Sequence, residues 1–207
     1  MRRDSSTALR SARNDVTAVL LAGGESRRMG RDKATLLFRG RPLWQIQIAM
    51  LRKLQPVEIL VSARRDPPWR PSNVRFVADA PPSRGPLSGL TRALEQTRTS
   101  HLLALAIDMP LMTAEYLAAL CELIEPNCGV LPMIGDRAEP LAAIYPAQAH
   151  VDLVAALQGA DFSLRSVTAR LVSAGTLRAV SVAQTDESFF RNLNQTADLE
   201  PTTNPRA

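Results

Sequence analysis

The chain has 207 residues, of which 45% are hydrophobic and 4% aromatic, and no apolar run approaches the roughly 20 residues that span a bilayer. Two cysteines are too few for a disulfide framework or a four-ligand zinc site. The net charge of +5 and the pI of about 10.0 raise nucleic-acid binding as a hypothesis, but the basic residues are scattered and no helix-turn-helix or zinc-finger spacing occurs. We therefore expect a cytoplasmic protein that binds neither nucleic acid nor membrane.

Apolar strands and amphipathic helices alternate along the chain. The first strand, Val16 to Leu21, is a continuous apolar run that ends in Ala-Gly-Gly, as a buried parallel strand entering a loop does. The other predicted strands are Val57 to Val61, Val74 to Val77, His101 to Ile107, Gly129 to Met133, Pro140 to Tyr145, Leu177 to Val182 and Phe189 to Leu193. The predicted helices are Pro42 to Leu54, Pro86 to Gln96, one capped by Thr113, Gln148 to Leu157, and Leu164 to Val172.

This alternation predicts an α/β fold, a three-layer α/β/α sandwich with a mainly parallel, Rossmann-like sheet. We expect a single domain over residues 16–199, with disordered tails over residues 1–15 and 200–207. In open sheets of this kind, ligands bind beyond the carboxyl ends of the strands. That rule selects the loop after Leu21 and the aspartate after Ile107.

The loop from Leu21 to Lys33 reads L-A-G-G-E-S-R-R-M-G-R-D-K. Gly23 and Gly24 let the backbone turn sharply and leave amide N–H groups free to point at phosphate oxygens. Six basic residues and one acid lie between Arg27 and Arg41. The glycine spacing fits neither the dinucleotide fingerprint nor the P-loop. The loop therefore predicts phosphate binding, and the alternative is a glycine turn followed by a solvated basic face.

Asp108 ends a buried strand and is followed by Met-Pro, so the chain leaves the sheet there. A carboxylate at that point suits a hard cation such as Mg²⁺, which takes one or two carboxylates plus phosphate oxygens and water. The alternative, a helix cap, is less favoured because Thr113 already fills that role. The segment Gly85 to Gly89 brings a helix N-terminus, which attracts anions, towards the same edge.

The loop closely resembles the signature of the MobA-like nucleotidyltransferases, above all the molybdenum cofactor guanylyltransferases. The resemblance continues in order from Thr17 to Leu199, through G-R-P-L-W-Q, F-V-A-D with G-P-L-S-G, L-A-I-D-M-P, E-P-L-A-A-I-Y-P and N-L-N. It implies a fold of the nucleotide-diphospho-sugar transferase type. It also implies Mg²⁺-dependent transfer of GMP from GTP to molybdenum-bound molybdopterin, with release of pyrophosphate.

The resemblance implies roles for individual residues as well. Lys33 and Asp108 are the implied catalytic residues, because Lys33 neutralises the phosphates during attack and Asp108 binds Mg²⁺. Asn194 is implied as a further metal contact, on the same face of the predicted last strand as Asn192. The implied nucleotide-binding residues are Leu21, Ala22, Gly23, Gly24, Arg27, Lys33, Ser62, Asp79, Gly85 and Asp108.

Ser62 departs from the family pattern, which often has asparagine at this position, and one hydroxyl offers a base fewer contacts than an amide. CMP transfer to molybdopterin or transfer to another phosphorylated acceptor therefore stays open, as does a non-catalytic nucleotide-binding module. Four arginines either line an anionic acceptor pocket or lie on solvated surface: Arg64, Arg65, Arg137 and Arg165. The implied partners are GTP and molybdopterin as substrates, with molybdenum cofactor insertion proteins or molybdoenzyme chaperones.

Overall fold

A computed structural model describes residues 16–23, 32–79 and 83–193. Both predicted tails lie outside these residues, as do Gly24, Arg27 and Asn194. The strands are β1 (Val16–Leu21), β2 (Leu37–Phe38), β3 (Arg41–Pro42), β4 (Glu58–Ala63), β5 (Arg75–Ala78), β6 (His101–Ala106), β7 (Gly129–Ile134), β8 (Arg137–Ala138), β9 (Ala142–Pro146) and β10 (Leu177–Ser181). The α-helices are α1 (Leu43–Lys53), α2 (Pro86–Gln96), α3 (Ala114–Glu122), α4 (His150–Gln158) and α5 (Leu164–Ser173).

A single eight-stranded sheet forms the middle layer, with the order β10-β7-β9-β6-β1-β4-β5 and with β8 paired to β7. β1 is parallel to β4 and β6, and β5 and β10 are parallel to their neighbours. Only β9 interrupts this pattern along the main path, because it runs antiparallel to both β6 and β7. The predicted mainly parallel sheet is therefore confirmed.

Side chains of β1 alternate between two separate cores. Ala18 and Leu20 pack with the apolar faces of α1 and α3, whereas Val19 and Leu21 pack with α2, α4 and α5. This follows from the two-residue period of a strand that is buried on both faces. Helices thus cover both faces of the sheet, and the predicted three-layer sandwich is confirmed. Among the described residues, no helix has the combination of length and apolarity needed to cross a bilayer.

The predicted last strand, Phe189 to Leu193, is wrong. Glu187–Phe190 is a 3-10 helix, and residues 191–193 have no regular structure. Phe189 and Phe190 pack edge-on against Tyr116 of α3, with ring centroids 5.8 and 5.3 Å away. Packing of these two aromatic rings thus overrides their strand propensity.

A short hairpin of β2 and β3 was not predicted from the sequence. Its turn residues, Arg39 and Gly40, have φ of 50° and 75°. Positive φ at both central positions is the backbone of the tight hairpin turns that match strand twist. The hairpin leads directly into α1, so it connects the segment after Lys33 to the helical layer.

Candidate functional site

Backbone hydrogen bonds join the carboxyl ends of the parallel strands to one another and to the residue before β9. Because these bonds satisfy the main chain at the edge of the sheet, the side chains that follow start from fixed positions. The bonds run from Ala22 N to Ser62 O (2.8 Å), Ile107 N to Leu21 O (3.1 Å), Asp79 N to Ala63 O (3.1 Å) and Ala106 N to Leu141 O (2.8 Å).

A cleft of about 100 Å³ opens at this edge. Every described residue predicted to bind nucleotide lines it, with the exception of Ala22. The lining residues are Leu21, Gly23, Lys33, Ser62, Asp79, Gly85, Pro86, Gly89, Ala106, Ile107, Asp108 and Leu141.

Lys33 and Asp108 form an ion pair in this cleft, with 2.9 Å between Nζ and Oδ2. Their side chains are 21% and 18% exposed, so both remain accessible from the cleft. Asp108 follows β6, whereas Lys33 begins a 3-10 helix, Lys33–Thr35, whose N-terminus is capped by Asp32. A carboxylate and an ammonium at one point offer one ligand to a hard cation and one donor to a phosphate.

Asp79 lines the cleft between two glycines. Its Oδ1 accepts a hydrogen bond from Ser62 Oγ at 2.8 Å, and Ser62 is 1% exposed. A Cβ atom on Gly23 would lie 2.7 Å from Asp79 Oδ2, and one on Gly89 would lie 2.6 Å from Ser62 Oγ. Burial raises the pKa of the Asp79 carboxyl, and the Ser62 hydrogen bond and the charge of Arg64 partly offset that effect.

The helix α2 begins at the cleft. Gly85 precedes it with φ 66°, a conformation that side chains with a Cβ rarely adopt, and Pro86 occupies its first turn. Both residues line the cleft, so the N-terminal end of this helix, which attracts negative charge, lies at the cleft.

The segment containing Asn192 lies beside Asp108 even though it is not a strand. Leu193 N donates to the backbone oxygen of Asp108 at 2.9 Å, and Leu193 is buried. The rings of Phe189 and Phe190 hold the preceding turn on Tyr116, whose pKa rises to about 12 through burial and the nearby Asp186 charge. Leu193 is thus the last described residue of a segment that lies beside Asp108, and Asn194, the implied metal contact, lies outside the described residues.

A second cavity, of about 710 Å³, lies on the β7–β9 side of the cleft. Arg137, Arg165 and Arg191 line it, and Arg137 Nε contacts Glu139 Oε1 at 2.8 Å. Burial raises the pKa of Glu139, and Arg137 partly offsets the rise. Two of the four arginines considered for an acceptor pocket therefore lie together, whereas Arg64 and Arg65 do not line this cavity.

At one place, consecutive residues of the chain line the two cavities. Pro140 lines the larger cavity and Leu141 lines the cleft. Similarly, Asn192 lines the larger cavity, and the next residue bonds to Asp108. Neighbouring residues of the chain therefore belong to the larger cavity and to the surroundings of Asp108.

Sequence reasoning missed Trp69. Its indole Nε1 donates to Asp32 Oδ2 at 2.8 Å, and its ring stacks on Trp44 with centroids 5.8 Å apart. Its position in the sequence could have indicated a contact. The chain has only two tryptophans, and Trp69 lies in a basic, proline-rich loop, where an aromatic ring needs a packing partner.

The chain is similar in sequence to known proteins over most of its length. The family model of the MobA-like NTP transferase domain matches residues 18–177. Two proteins named molybdenum cofactor guanylyltransferase, from Xanthomonas euvesicatoria and Ralstonia pickettii, are 34% and 30% identical to the chain, cover 86% and 90% of it, and are themselves covered over 89% and 95% of their length.

Solved structures show the same fold. Molybdopterin-guanine dinucleotide biosynthesis protein A from Archaeoglobus fulgidus superposes with a TM-score of 0.69 at 21% identity, over 88% of this chain and 94% of that one. The 4-diphosphocytidyl-2C-methyl-D-erythritol synthase from Anaerococcus prevotii gives a TM-score of 0.70 at 13% identity, over 93% and 95%. With a family match over most of its length, the chain is a nucleotidyltransferase and belongs to the MobA-like NTP transferase family.

Proposed function

We propose that this protein transfers GMP from GTP to molybdenum-bound molybdopterin and releases pyrophosphate, making the guanine dinucleotide form of the cofactor. The observation that carries the proposal is the Lys33–Asp108 pair in a cleft that adjoins an arginine-lined cavity. The names of the relatives supply the nucleotide and the acceptor.

In this proposal the cleft binds the donor nucleotide. Gly23 approaches the ligand by its backbone, and the N-terminal end of α2 at Gly85 and Pro86 attracts its negative charge. Lys33 neutralises charge that develops on the phosphates, a role that suits a compact ammonium. Asp79 and Ser62 form the wall against which the nucleoside lies.

Asp108 fits a divalent cation, for which we propose Mg²⁺. Its carboxylate is partly exposed and already lies 2.9 Å from a positive charge, so its position suits a cation. Among the described residues no three acidic, histidine or cysteine side chains cluster tightly enough to hold a metal alone. A single carboxylate completed by phosphate oxygens and water is typical of Mg²⁺, which when bound would polarise the phosphates. We propose Asn194 as a further ligand.

The larger cavity is our proposed site for the phosphorylated acceptor. Its three arginines include Arg165 and Arg191, which have no ion-pair partner among the described residues. Guanidinium groups bind phosphate in a forked geometry, so they suit a phosphorylated ligand. Asn192 lines this cavity and the next residue, Leu193, bonds to the main chain of Asp108, which supports an acceptor site beside the donor cleft.

The reaction needs no nucleophilic side chain. An oxygen of the acceptor phosphate forms a bond to the α-phosphorus of GTP, and the bond from that phosphorus to the bridging α–β oxygen breaks. The electron pair leaves with pyrophosphate. The protein's contribution is alignment of the two substrates and neutralisation of charge.

The decisive test is an assay of the purified protein with Mg²⁺ and one nucleotide at a time, with and without molybdopterin. We expect pyrophosphate release that needs GTP, Mg²⁺ and molybdopterin together and disappears in Asp108→Ala. GTP binding without turnover under those conditions would support a non-catalytic module instead. Insertion proteins or chaperones as partners, and the cytoplasmic location, stay predictions.

A second candidate, CMP transfer, is favoured by one observation. The Ser62 hydroxyl donates its hydrogen to Asp79, so this position does not offer a base the two amide donors of an asparagine. A preference for CTP over GTP in the same assay would establish this alternative.

A further inference from the structure

The carboxylate of Asp32 joins two parts of the chain that are far apart in sequence. Oδ1 accepts the backbone N–H of Ala34 at 3.0 Å, and Oδ2 accepts the indole N–H of Trp69 at 2.8 Å. The first bond caps the short helix that begins at Lys33. The second reaches into the loop between β4 and β5, 37 residues away. Asp32, the residue immediately before Lys33, is therefore held in place by a hydrogen bond from the loop between β4 and β5.

Trp69 is itself fixed. Its ring stacks on Trp44 of α1 with an interplanar angle of 20°. Its neighbour Arg70 forms an ion pair with Asp66 at 2.7 Å and also donates to the backbone oxygen of Val74. An indole held on one face by α1 and through its neighbour by its own loop has little freedom to follow Asp32 if that residue moves.

The helix α1 also holds Asp108 in place. Gln47 is fully buried, and its Nε2 donates to the backbone oxygen of Met109 at 2.7 Å. Asp108 is thus connected to α1 through Met109 and Gln47, and Lys33 is connected to α1 through Asp32, Trp69 and Trp44. One rigid element sets the positions of both members of the ion pair.

We propose that Trp69 is a positioning residue for Lys33, acting through the hydrogen bond from its indole to Asp32. The proposal rests on the role given to Lys33 under the proposed function. Loss of the indole N–H leaves the cap bond to Ala34 intact, so the short helix persists. What is lost is the lateral restraint on Asp32, and with it the alignment of the Lys33 ammonium with the phosphates.

The test compares Trp69→Phe with Trp44→Phe. Both changes keep an aromatic ring in the stack and remove one indole N–H, but only the N–H of Trp69 donates to Asp32. Trp69→Phe is expected to lower kcat roughly three- to ten-fold, the range that corresponds to one net hydrogen bond, with little change in Tm because Asp32 is exposed. Trp44→Phe is expected to keep the kcat of the unmodified protein. Equal losses in the two variants would overturn the proposal.

A double-mutant cycle with Lys33→Met separates positioning from general structure. If Trp69 acts through Lys33, Trp69→Phe lowers kcat no further in the Lys33→Met background. A loss of the same size in both backgrounds would contradict the inference. If Lys33→Met keeps full activity, the proposed role of Lys33 fails and this inference fails with it. If Lys33→Met is inactive and Trp69→Phe is fully active, only the inference fails.

Asp32→Asn supplies an independent check. Ala34 and Trp69 donate to different oxygens of Asp32, and an amide replaces one of these oxygens with an NH2 donor, so one of the two bonds must be lost. We expect a fall in kcat like that of Trp69→Phe. In the Trp69→Phe background the amide oxygen is free to face Ala34, so the further effect of Asp32→Asn is expected to vanish. Additive losses would overturn the proposal.

Discussion

In their ion pair, Lys33 and Asp108 each occupy the position that a charged group of a ligand would take beside the other. At 2.9 Å the pair neutralises two charges that would otherwise face a narrow cleft alone. Under the proposed function, binding of Mg²⁺ and GTP exchanges this contact for two new ones, carboxylate to metal and ammonium to phosphate. The free energy needed to break the Lys33–Asp108 contact therefore reduces the net free energy of binding Mg²⁺ and GTP.

Removal of the Lys33 charge tests that exchange. We expect Lys33→Met to lower kcat about 100-fold or more, as loss of one preorganised donor to a developing charge does. Lys53→Met is the matched control, because the chain has only these two lysines and Lys53 is exposed at the end of α1, away from the cleft. A comparable fall in kcat in Lys53→Met would contradict a specific role for Lys33.

Asp79 predicts a pH dependence of stability. Because burial raises the pKa of its carboxyl, the folded protein holds that proton more tightly than the unfolded chain does. Its contribution to the free energy of unfolding is greatest below the unfolded pKa, which lies near 3.8, and is lost as pH rises through the folded pKa.

Asp79→Asn removes this titration and keeps an oxygen that can accept from Ser62. In urea unfolding across acid to neutral pH, we expect the variant to gain stability relative to the unmodified protein as pH rises, while its affinity for GTP falls. Parallel stability profiles for the two proteins would show that Asp79 does not titrate in this way.

The packing of α2 against the ends of β4 and β5 depends on the small size of Gly89. An alanine normally stabilises a helix interior by about 1 kcal/mol over glycine. Here its Cβ would lie 2.6 Å from Ser62 Oγ, which cannot swing away without losing its bond to Asp79.

Gly89→Ala is therefore expected to destabilise the protein, by a net amount on the order of 1 kcal/mol, because a lost hydrogen bond to a charged group outweighs the gain in helix propensity. It is also expected to weaken GTP binding. Gly159→Ala is the control, since its nearest contact would be 3.4 Å from Ala156 O and its φ is −83°. The measurement is the denaturant midpoint of each variant relative to the unmodified protein. Equal shifts in the two variants would contradict the prediction.

Most helices and strands can be predicted from the sequence. The edge of the sheet that carries the site can be predicted as well, because glycine or aspartate follows the buried strands there. The contacts within the site do not follow from sequence alone. Lys33 and Asp108 are 75 residues apart, and Ser62 meets Asp79 only because of the parallel register of β4 with β5. The strand predicted at 189–193 failed because its aromatic rings have a partner in Tyr116, which no local pattern reveals.

On the scale of the whole sheet, the described residues form a cleft at the ends of β1, β4 and β6 and an arginine-lined cavity beyond β9. Ligands that bind only the folded state stabilise it by mass action, by about 2.7 kcal/mol at a concentration 100 times Kd. We expect GTP with Mg²⁺ to raise Tm more than CTP with Mg²⁺ at equal concentration. A larger shift with CTP would favour the cytidylyl alternative.

The antiparallel course of β9 has a consequence for how such a protein can change. Because β9 runs against its neighbours, its first residues lie where the parallel strands finish, and Ala142 pairs with Leu105 near the end of β6. The approach to β9 thus supplies Leu141 to one compartment and Arg137, Glu139 and Pro140 to the other. Replacement of Arg137, Glu139 and Pro140 would change the lining of the larger cavity, whereas replacement of Leu141 would also change the cleft. Under the proposed function, substitutions in this short segment change the acceptor site while the ends of β1, β4 and β6, which carry the proposed donor site, keep their sequence.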